Sequence, residues 1–423
     1  MPKILLIILL LAPFMAWDAA VYVMRMAGDT STERRSEILR HFNENDIEVG
    51  REHVIRHNRL FPFSRLLFYA FYAALLFGGL GARLESWLLA PTGGHWYLAL
   101  PLFVLVLLAV QILIYMPLSA YREFVIEREM GLSTITLGTW LADRAKSLVL
   151  NWIIVTIIAL PVLALIKGLP NFWPLPAAAV ILAVSAFGIW ISPWVIDPLF
   201  NKFTLLENEE LEGRIRQVSA EAGLKVKQVY VVDASRRSRY LNAYFTGLGN
   251  SRRVVLFDNL VDECRDDEVL SVVTHELGHW REYHIMKGFL LEVVGVFAGL
   301  WLLWVLLNAE ATRGFFGLSA QSSLVLIVLL PFLLSLTGTL TSPAISAISR
   351  RFERAADRAA LELTGDIPAF IEVEKKLMRK AKADLLQPKL LHSFYGSHPL
   401  VEERIRMAEN FTAGDKSLPQ PEN

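Results

Sequence analysis

The sequence has almost no cysteine and no excess of either charge. Cys264 is the single cysteine among 423 residues, which excludes an intramolecular disulfide and a cysteine-ligated zinc. Lysine and arginine together number 42, as do aspartate and glutamate. We therefore expect no nucleic-acid partner, because net charge gives no basis for one. The lack of disulfides agrees with polar segments on a reducing side of a membrane.

Charged residues are also scarce, whereas apolar residues are abundant. The charged share is 20% and the hydrophobic share 54%, with a mean hydropathy of +0.40. Length alone would allow two or three soluble domains, but this balance indicates membrane spans. Seven apolar stretches approach or reach the ~20 residues that a helix needs to cross a bilayer. They lie at 4–24, 66–82, 96–116, 148–166, 177–196, 289–307 and 323–340.

The first apolar stretch has two interpretations. Lys3, the apolar run after it and the small residues near its end are typical of a secretory signal peptide. We favour a retained anchor, because apolar character continues through 21–24 and Arg25 follows. Asp18 lies inside this stretch, and we expect it to face the protein interior or the interface, since charges in spans rarely face lipid.

Basic residues are concentrated in alternate loops. Eight arginines lie between the first and second stretches, and four basic residues lie between the third and fourth. The opposite side carries only Lys3, Arg83, Lys167 and Arg313. The positive-inside rule then predicts an N-terminus outside and a cytoplasmic C-terminus.

The predicted fold is mostly α: a polytopic membrane protein of about seven transmembrane helices with a small α+β domain on the cytoplasmic side. Residues 1–200 would hold helices one to five, 201–286 a first polar region, 287–345 helices six and seven, 346–413 a second polar region and 414–423 a disordered tail. Within the polar regions the pattern predicts helices at 207–222, 350–363 and 367–383, and strands at 226–232 and 253–257.

The motif HELGH at 275–279 carries the chemistry. Positions i and i+4 share one face of a helix, so His275 and His279 can both reach one metal ion. Glu276 would be free to take a proton from a metal-bound water. Acidic residues at 266–268 favour a helix start here, and we expect this helix to continue without a break into the sixth span.

A catalytic zinc has three protein ligands and an open position, so a third ligand is needed. His284 is about 140° around the helix from His279, which makes one ion hard to share. Glu353 and Asp357 stand at i and i+4, so Glu353 could ligate while Asp357 holds a ligand imidazole. On spacing alone these two residues also fit a solvated helix face with ion pairs, and both interpretations remain open.

Several separate blocks resemble one family. They are YREFVIEREMGLST at 121–134, SPWVIDPLFNKFTLL at 192–206, NAYFTGLGNSRRVVLFDNL at 242–260, HELGHWREYH at 275–284, SRRFERAADRAA at 349–360 and GSHPLVEERI at 396–405. In this order they resemble the CAAX prenyl protease type of seven-helix integral-membrane zinc metalloendopeptidase, which has a glutamate as third ligand. The likeness covers most of the chain from Tyr121 onward and implies a water-filled chamber onto which the zinc site faces.

The resemblance assigns roles around the motif. It implies that His275 and His279 are zinc ligands, that Glu276 is the general base and that Glu353 is the third ligand. Asp357 matches an acidic residue that supports the zinc site.

The resemblance also assigns residues outside the zinc site. Asn242, Ala243 and Tyr244 match an edge where an extended substrate peptide adds as a strand. His398 and Arg404 match residues near the metal that would bind the developing oxyanion or brace the site.

The expected function is peptide-bond hydrolysis with one Zn²⁺ per chain. Zinc lowers the pKa of a bound water and polarises the scissile carbonyl, and Glu276 moves the proton to the leaving amine. The expected partners are a peptide or protein substrate and the lipid bilayer, and the sequence makes no prediction of oligomeric state. The resemblance implies prenylated CAAX peptides as substrates.

The sequence also bears on other functions. Short non-cytoplasmic loops and the absence of a retrieval signal at the terminus favour a bacterial inner-membrane relative, for which membrane-protein quality control is an alternative. A non-hydrolytic zinc transporter would need more ionisable residues in the spans. Cleavage within the bilayer would place HELGH in an apolar span, and its charged flanks argue against that. A scaffold with a dead site disagrees with an intact motif.

Overall fold

The computed structural model describes residues 2–226, 228–246, 253–309 and 324–412. Helices make up most of these residues. The helices are α1 Pro2–Ala27, α2 Thr32–Ile38, α3 Glu44–Asn58, α4 Phe61–Leu76, α5 Leu80–Leu89, α6 Trp96–Tyr121, α7 Leu137–Gly168, α8 Pro174–Ile191, α9 Asp197–Phe200, α10 Glu209–Glu221, α11 Asp258–Glu263, α12 Asp266–Arg281, α13 His284–Asn308, α14 Leu326–Thr364, α15 Ile367–Ala381, α16 Lys389–Tyr395 and α17 Val401–Glu409. Short π-helical segments follow α6 (Arg122–Glu127) and α8 (Ser192–Ile196), and a 3₁₀ turn spans Ala234–Arg236. The strands are β1 Phe203–Leu205, β2 Val229–Val232, β3 Ala243–Thr246 and β4 Arg253–Phe257.

Seven helical segments in the described residues are long and apolar enough to cross a membrane. They are Ile7–Ala27, Glu44–Leu76, Trp96–Glu127, Leu137–Gly168, Pro174–Phe200, His284–Asn308 and Leu326–Thr364. Each overlaps one of the predicted apolar stretches, so the predicted count is confirmed. Many large apolar side chains on their outer faces, such as Leu113, Ile157 and Phe187, are exposed. A polytopic protein shows such surfaces because lipid covers them.

The membrane helices pack on one apolar core. Phe103 of α6, Trp173 and Phe332 of α14 lie at its centre and are almost completely buried. Asp18 of α1 faces this protein side, as predicted. Its carboxylate accepts hydrogen bonds from Arg65 Nε at 2.7 Å and from the Tyr69 hydroxyl at 2.6 Å.

The polar part contains a four-stranded sheet in the order β1-β2-β4-β3. β2 and β4 are parallel, and the two outer strands are antiparallel to their neighbours. Apolar residues of α10, the sheet and α12 form a second core, with Ile215, Leu256 and Val273 fully buried. The sheet therefore supports α12 from one side and leaves β3 at an edge.

Most predicted elements of the polar regions are present, with shifted ends. The predicted helix at 207–222 is α10, the strand at 253–257 is β4, and the helix at 367–383 is α15. The predicted strand at 226–232 begins only at Val229, and residue 227 is not described. The predicted tail at 414–423 lies outside the described residues.

One predicted span has different bounds in the structure, and one predicted helix continuation is wrong. The helix α4, which covers the first part of the apolar stretch 66–82, ends at Leu76. Gly79 then adopts a left-handed conformation (φ 77°) before α5 begins. The HELGH helix does not run into the sixth span. Tyr283 is left-handed (φ 55°) and separates α12 from α13. Such a break at a tyrosine has no glycine or proline signal in the sequence.

Candidate metal centre and catalytic site

Helix α12 presents the two motif histidines on one face. The Nε2 atoms of His275 and His279 lie 3.2 Å apart, and their ring centroids are separated by 4.9 Å. The helix begins where the Glu268 carboxylate accepts a hydrogen bond from the Arg265 amide at 2.9 Å. Asp266 and Asp267 add negative charge at the positive end of its dipole.

Glu353 of α14 completes this cluster. Its carboxylate oxygens lie 3.3 Å from His275 Nε2 and 3.4 Å from His279 Nε2. One donor atom from each residue falls within 4.8 Å of the others. Glu353 is buried, and its Oε2 has no hydrogen-bond partner among the described residues. The structure thus brings together the three residues predicted as zinc ligands.

Gly278 allows α12 and α14 to approach closely enough for this geometry. A Cβ added at Gly278 would lie 2.8 Å from the Cα and the carbonyl oxygen of Ala356 and 3.0 Å from the Cβ of Ala359. The glycine of HELGH therefore determines how near Glu353 comes to the histidines.

Behind His275 lies a buried chain of charged groups. His275 Nδ1 is 2.7 Å from Asp357 Oδ1. Because an ionised carboxylate only accepts, Nδ1 carries a proton, and Nε2 is the ring nitrogen that faces the centre. Arg404 donates through Nε to Asp357 Oδ2 at 2.8 Å and through its other nitrogens to Asp357 and Glu374.

Arg404 braces the site from behind. Its two carboxylate partners raise the pKa of Arg404 against the effect of burial, and its guanidinium is committed to them. In the structure the Arg404 guanidinium therefore contacts Asp357 and Glu374, behind the three donor atoms. Sequence reasoning missed Glu374, although it is a carboxylate next to Val373 on the buried face of the amphipathic helix α15.

The protonation of the two histidines is asymmetric. Burial alone would lower the pKa of His275, but the nearby carboxylates of Asp357 and Glu353 outweigh this effect and raise the pKa to about 10. Burial, reinforced by the charge of His275, lowers the pKa of His279 to about 4. The cluster thus favours a positive charge between its donor atoms, as a metal cation would supply.

Glu276 points into a cavity of about 1160 Å³ between α12, α13 and α14. His279 and Glu353 line the same cavity. Burial raises the pKa of Glu276, and the neighbouring charge of His275 opposes this shift. A carboxylate whose pKa is shifted towards neutral pH is suited to accepting and returning a proton.

His398 reaches the cluster from the turn before α17. Its Nε2 lies 3.3 Å from Glu353 Oε2, and the Ser397 hydroxyl is 2.9 Å from its Nδ1. The imidazole is 60% exposed and lines a second cavity of about 780 Å³. His398 therefore borders both the cluster and open space.

The predicted substrate residues lie on or next to the edge strand β3. Asn242 precedes the strand and accepts a hydrogen bond from the Phe257 amide at 3.0 Å, whereas Ala243 and Tyr244 belong to it. Phe245 packs on Trp280 of α12 with ring centroids 5.4 Å apart. Since Trp280 follows His279, the strand lies beside the motif helix.

His284 does not belong to the three-residue cluster. Its Nδ1 lies 3.0 Å from His279 Nδ1, and its ring stacks on Phe352 at 4.2 Å. The break at Tyr283 places His284 behind His279, on the side away from the shared donor atoms.

The fold and the site together define a class. One helix carries two histidines and a glutamate, a second helix contributes a buried glutamate, and seven helices are long enough to span a membrane. Together these are the features of an integral-membrane zinc metalloprotease. HELGH lies on α12, which is not among the candidate spans of the described residues. This placement disagrees with a protease whose motif lies inside a span.

Comparisons with known proteins identify the family. Residues 205–412 match the model described as "Peptidase family M48". Residues 24–202 match "CAAX prenyl protease N-terminal, five membrane helices". The chain belongs to peptidase family M48, with the membrane region of the CAAX prenyl proteases, and the resemblance seen in the sequence is confirmed.

Individual relatives agree with this assignment. The metalloprotease YhfN of Bacillus subtilis is 30% identical over 366 residues, which cover 86% of this chain and 85% of the relative. CAAX prenyl protease 1 of Saccharomyces cerevisiae is 31% identical over 72% of this chain and 70% of its own length. The crystal structure of S. mikatae Ste24p has the same fold, with a TM-score of 0.86 at 24% identity over 97% of this chain and 100% of that one.

Proposed function

We propose that one Zn²⁺ per chain is held by His275, His279 and Glu353, and that the site cleaves CAAX-type prenylated peptides. The observation that carries the proposal is the convergence of two imidazole Nε2 atoms and one buried carboxylate within 4.8 Å. Neutral imidazole and carboxylate are the ligands that catalytic zinc prefers, and three of them leave a position for water.

The residues present fit a zinc ion. Glu353 Oε2 is a buried oxygen with no hydrogen-bond partner among the described residues, and a cation would satisfy it. Asp357 fixes the tautomer of His275, as carboxylates do for ligand histidines. When bound, zinc acidifies a water molecule and polarises the scissile carbonyl.

The chain's own residues handle the proton. Glu276 takes a proton from the attacking water and delivers it to the nitrogen of the leaving amine. His398, which borders Glu353, is placed to donate to the developing oxyanion. Arg404 keeps Asp357 and His275 in position throughout.

Strand β3 is the proposed docking edge for the substrate. The register pairs Tyr244 with Val255, so the hydrogen-bonded pairs fall at 242, 244 and 246. The amide and carbonyl of Phe245 therefore face away from β4, and an extended peptide can pair with them. Asn242, Ala243 and Tyr244 would fix where that peptide lies relative to Glu276.

The cavity next to Glu276 supports the proposal that the substrate carries an isoprenoid substituent. The cavity extends between α13 and α14, where aliphatic side chains that include Leu291, Val294 and Leu334 line it. An apolar wall next to the scissile position would bury a prenyl chain favourably, at about 25 cal/mol per Å² of apolar surface.

Loop charge supports a cytoplasmic site. Arginines and lysines are concentrated in the loops on the same side of the spans as α12, which by the positive-inside rule is the cytoplasm. We place the chain in a bacterial inner membrane, with its N-terminus outside and its C-terminus cytoplasmic.

The experiment compares wild type and Glu276→Gln on three substrates: a prenylated CAAX peptide, its unprenylated twin and an unfolded membrane protein. Glu276→Gln should retain zinc but lose at least ~10² in rate, because the proton acceptor is gone. The matched control is Glu282→Gln, which changes a carboxylate just past the end of the same helix and should leave the rate unchanged.

The substrates separate the possible roles. Faster cleavage of the prenylated peptide supports the proposed specificity. Preference for the unfolded membrane protein would instead support quality control and overturn the CAAX proposal. Near-normal turnover by Glu276→Gln would remove Glu276 from its role.

A further inference from the structure

A second histidine pair with the same spacing as the HELGH pair lies on α3. His53 and His57 stand at i and i+4, and their ring centroids are 4.6 Å apart with nearly perpendicular planes. The rings of His275 and His279 are 4.9 Å apart and similarly inclined. The helix is fixed at its start by a capping box between Asn43 and Asp46.

A carboxylate from another element completes this second cluster. Glu127 ends the π-helical segment after α6 and is only 6% exposed. Its Oε1 lies 2.9 Å from His57 Nε2, and its Oε2 lies 3.6 Å from His53 Nε2. As in the catalytic cluster, one donor atom from each of the three residues lies within 4.8 Å of the others. π-Helical turns occur frequently at functional sites.

The hydrogen bond to His53 leaves a lone pair directed at Glu127. His53 Nδ1 is 3.1 Å from the carbonyl oxygen of Lys382. A carbonyl can only accept, so Nδ1 carries a proton, and in the neutral ring Nε2 is then the atom with the free lone pair. Asp357 fixes the tautomer of His275 in the same way, and such outer partners are a regular feature of histidine ligands.

The facing nitrogen atoms lack hydrogen-bond partners. Both His53 Nε2 and His57 Nε2 are buried, and neither makes a hydrogen bond to any described residue. They approach Glu127 closely without the geometry of a hydrogen bond. Lone pairs and a carboxylate that converge in this way are satisfied by a shared cation.

Two neighbouring side chains affect how well the Glu127 carboxylate could bind a cation, one favourably and one unfavourably. The Tyr240 hydroxyl lies 3.3 Å from Glu127 Oε2 and supports the carboxylate. Arg122 Nε lies 3.7 Å from Glu127 Oε1 and competes for it. The Arg122 side chain is 60% exposed, so water screens this competition and the side chain is free to move away.

We propose that His53, His57 and Glu127 form a second divalent metal site that binds Zn²⁺, in addition to the catalytic centre. Imidazole and carboxylate ligands suit zinc, and three of them leave one position for water. His57 also borders the cavity of about 780 Å³ that reaches His398, which gives the ion access from solvent. A bound ion would tie α3 to the end of α6.

The test is the zinc content of the full-length protein after chelator stripping, reloading with Zn²⁺ alone and desalting. Wild type should hold two equivalents, and His57→Gln and Glu127→Gln should each hold one. His41→Gln is the matched control. This histidine follows α2, and its imidazole lies 3.7 Å from the exposed carboxylate of Glu409, away from both clusters, so the variant should keep two equivalents.

A second set of variants separates the two sites. His279→Gln should retain one equivalent, and His57→Gln combined with His279→Gln should retain none. Co²⁺ loading of His279→Gln should give visible absorption that the double variant lacks. One equivalent in wild type together with none in His279→Gln would overturn the second site and leave a histidine–glutamate ion pair. Because metal is counted and not turnover, this result is independent of the substrate proposal.

Discussion

At the scale of residues, the position of His275 depends on groups that never touch the substrate. Asp357 accepts a hydrogen bond from His275 Nδ1. Arg404 donates hydrogen bonds to Asp357 and, through another nitrogen, to Glu374. All three groups are buried, so their charges are stabilised mainly by one another. Removing one partner of such a buried pair costs about 3–5 kcal/mol, because a charge is left uncompensated.

Asp357→Asn should weaken zinc binding roughly 10- to 100-fold, the usual cost of losing a partner that orients a ligand histidine. Competition with a chromogenic chelator measures this. Glu362→Gln is the control, because Glu362 pairs with Arg281 of α12 at 3.0 Å without contacting the cluster. Equal affinities in wild type and Asp357→Asn would show that the carboxylate does not support His275.

Sequence could predict part of the site at this scale. HELGH alone indicates His275 and His279 as ligands, because the two histidines lie about one turn apart on the same face of one helix. Spacing alone left Glu353 and Asp357 compatible with a solvated face. Their burial comes from packing against α12, some seventy residues earlier, and periodicity within one helix cannot show which of its faces another helix covers.

At the scale of elements, the site depends on how closely two helices approach. Gly278 faces Ala356 and Ala359 where α12 and α14 are in contact. A helix–helix distance this short needs small residues at the contact. The sequence AADRAA at 355–360 supplies them on α14, directly beside Glu353 and Asp357.

Gly278→Ala should push α12 and α14 apart. We expect a loss of about 1–3 kcal/mol from overpacking, together with weaker zinc retention as Glu353 moves away from the histidines. Thermal unfolding and metal analysis of the same sample measure both effects. Gly288→Ala on α13 is the control, since a Cβ there would meet no heavy atom of the described residues within 4 Å outside its own stretch of helix. A variant with wild-type stability and zinc content would contradict the close-packing argument.

The element boundaries show where sequence reasoning stops. The pattern predicted α10, β4 and α15 because each carries its own amphipathic period or turn signals. It missed the break at Tyr283, where a residue other than glycine is held in the left-handed region by its surroundings. That break separates α12 from the sixth membrane helix and turns His284 towards the back of His279.

At the scale of the whole molecule, a polar reaction site is attached to a shell of apolar helices. The number of spans was predictable because hydrocarbon requires about 20 apolar residues per helix. The length of α14 was not predictable from this rule. This helix continues for 39 residues, or about 58 Å, from the membrane region into the polar domain. One continuous helix thereby carries Glu353 from the last span to the motif helix.

Membrane orientation can be tested with introduced cysteines. The native Cys264 is buried, and burial raises the pKa of its thiol to about 11, so it should react little. A membrane-impermeant maleimide should label Ser86→Cys in intact spheroplasts and should label Gln217→Cys only after permeabilisation. Both native side chains are exposed. The reverse pattern would place the catalytic site on the non-cytoplasmic side.

The central claim is that His275, His279 and Glu353 hold one zinc ion next to Glu276. An anomalous difference map, recorded at the zinc absorption edge from crystals of active protein, tests it most directly. We expect a peak bonded to both Nε2 atoms and to the Glu353 carboxylate, at the ~2.0–2.2 Å distances of zinc ligands. Crystals of an active preparation that show no peak among these three side chains would exclude them as the zinc ligands.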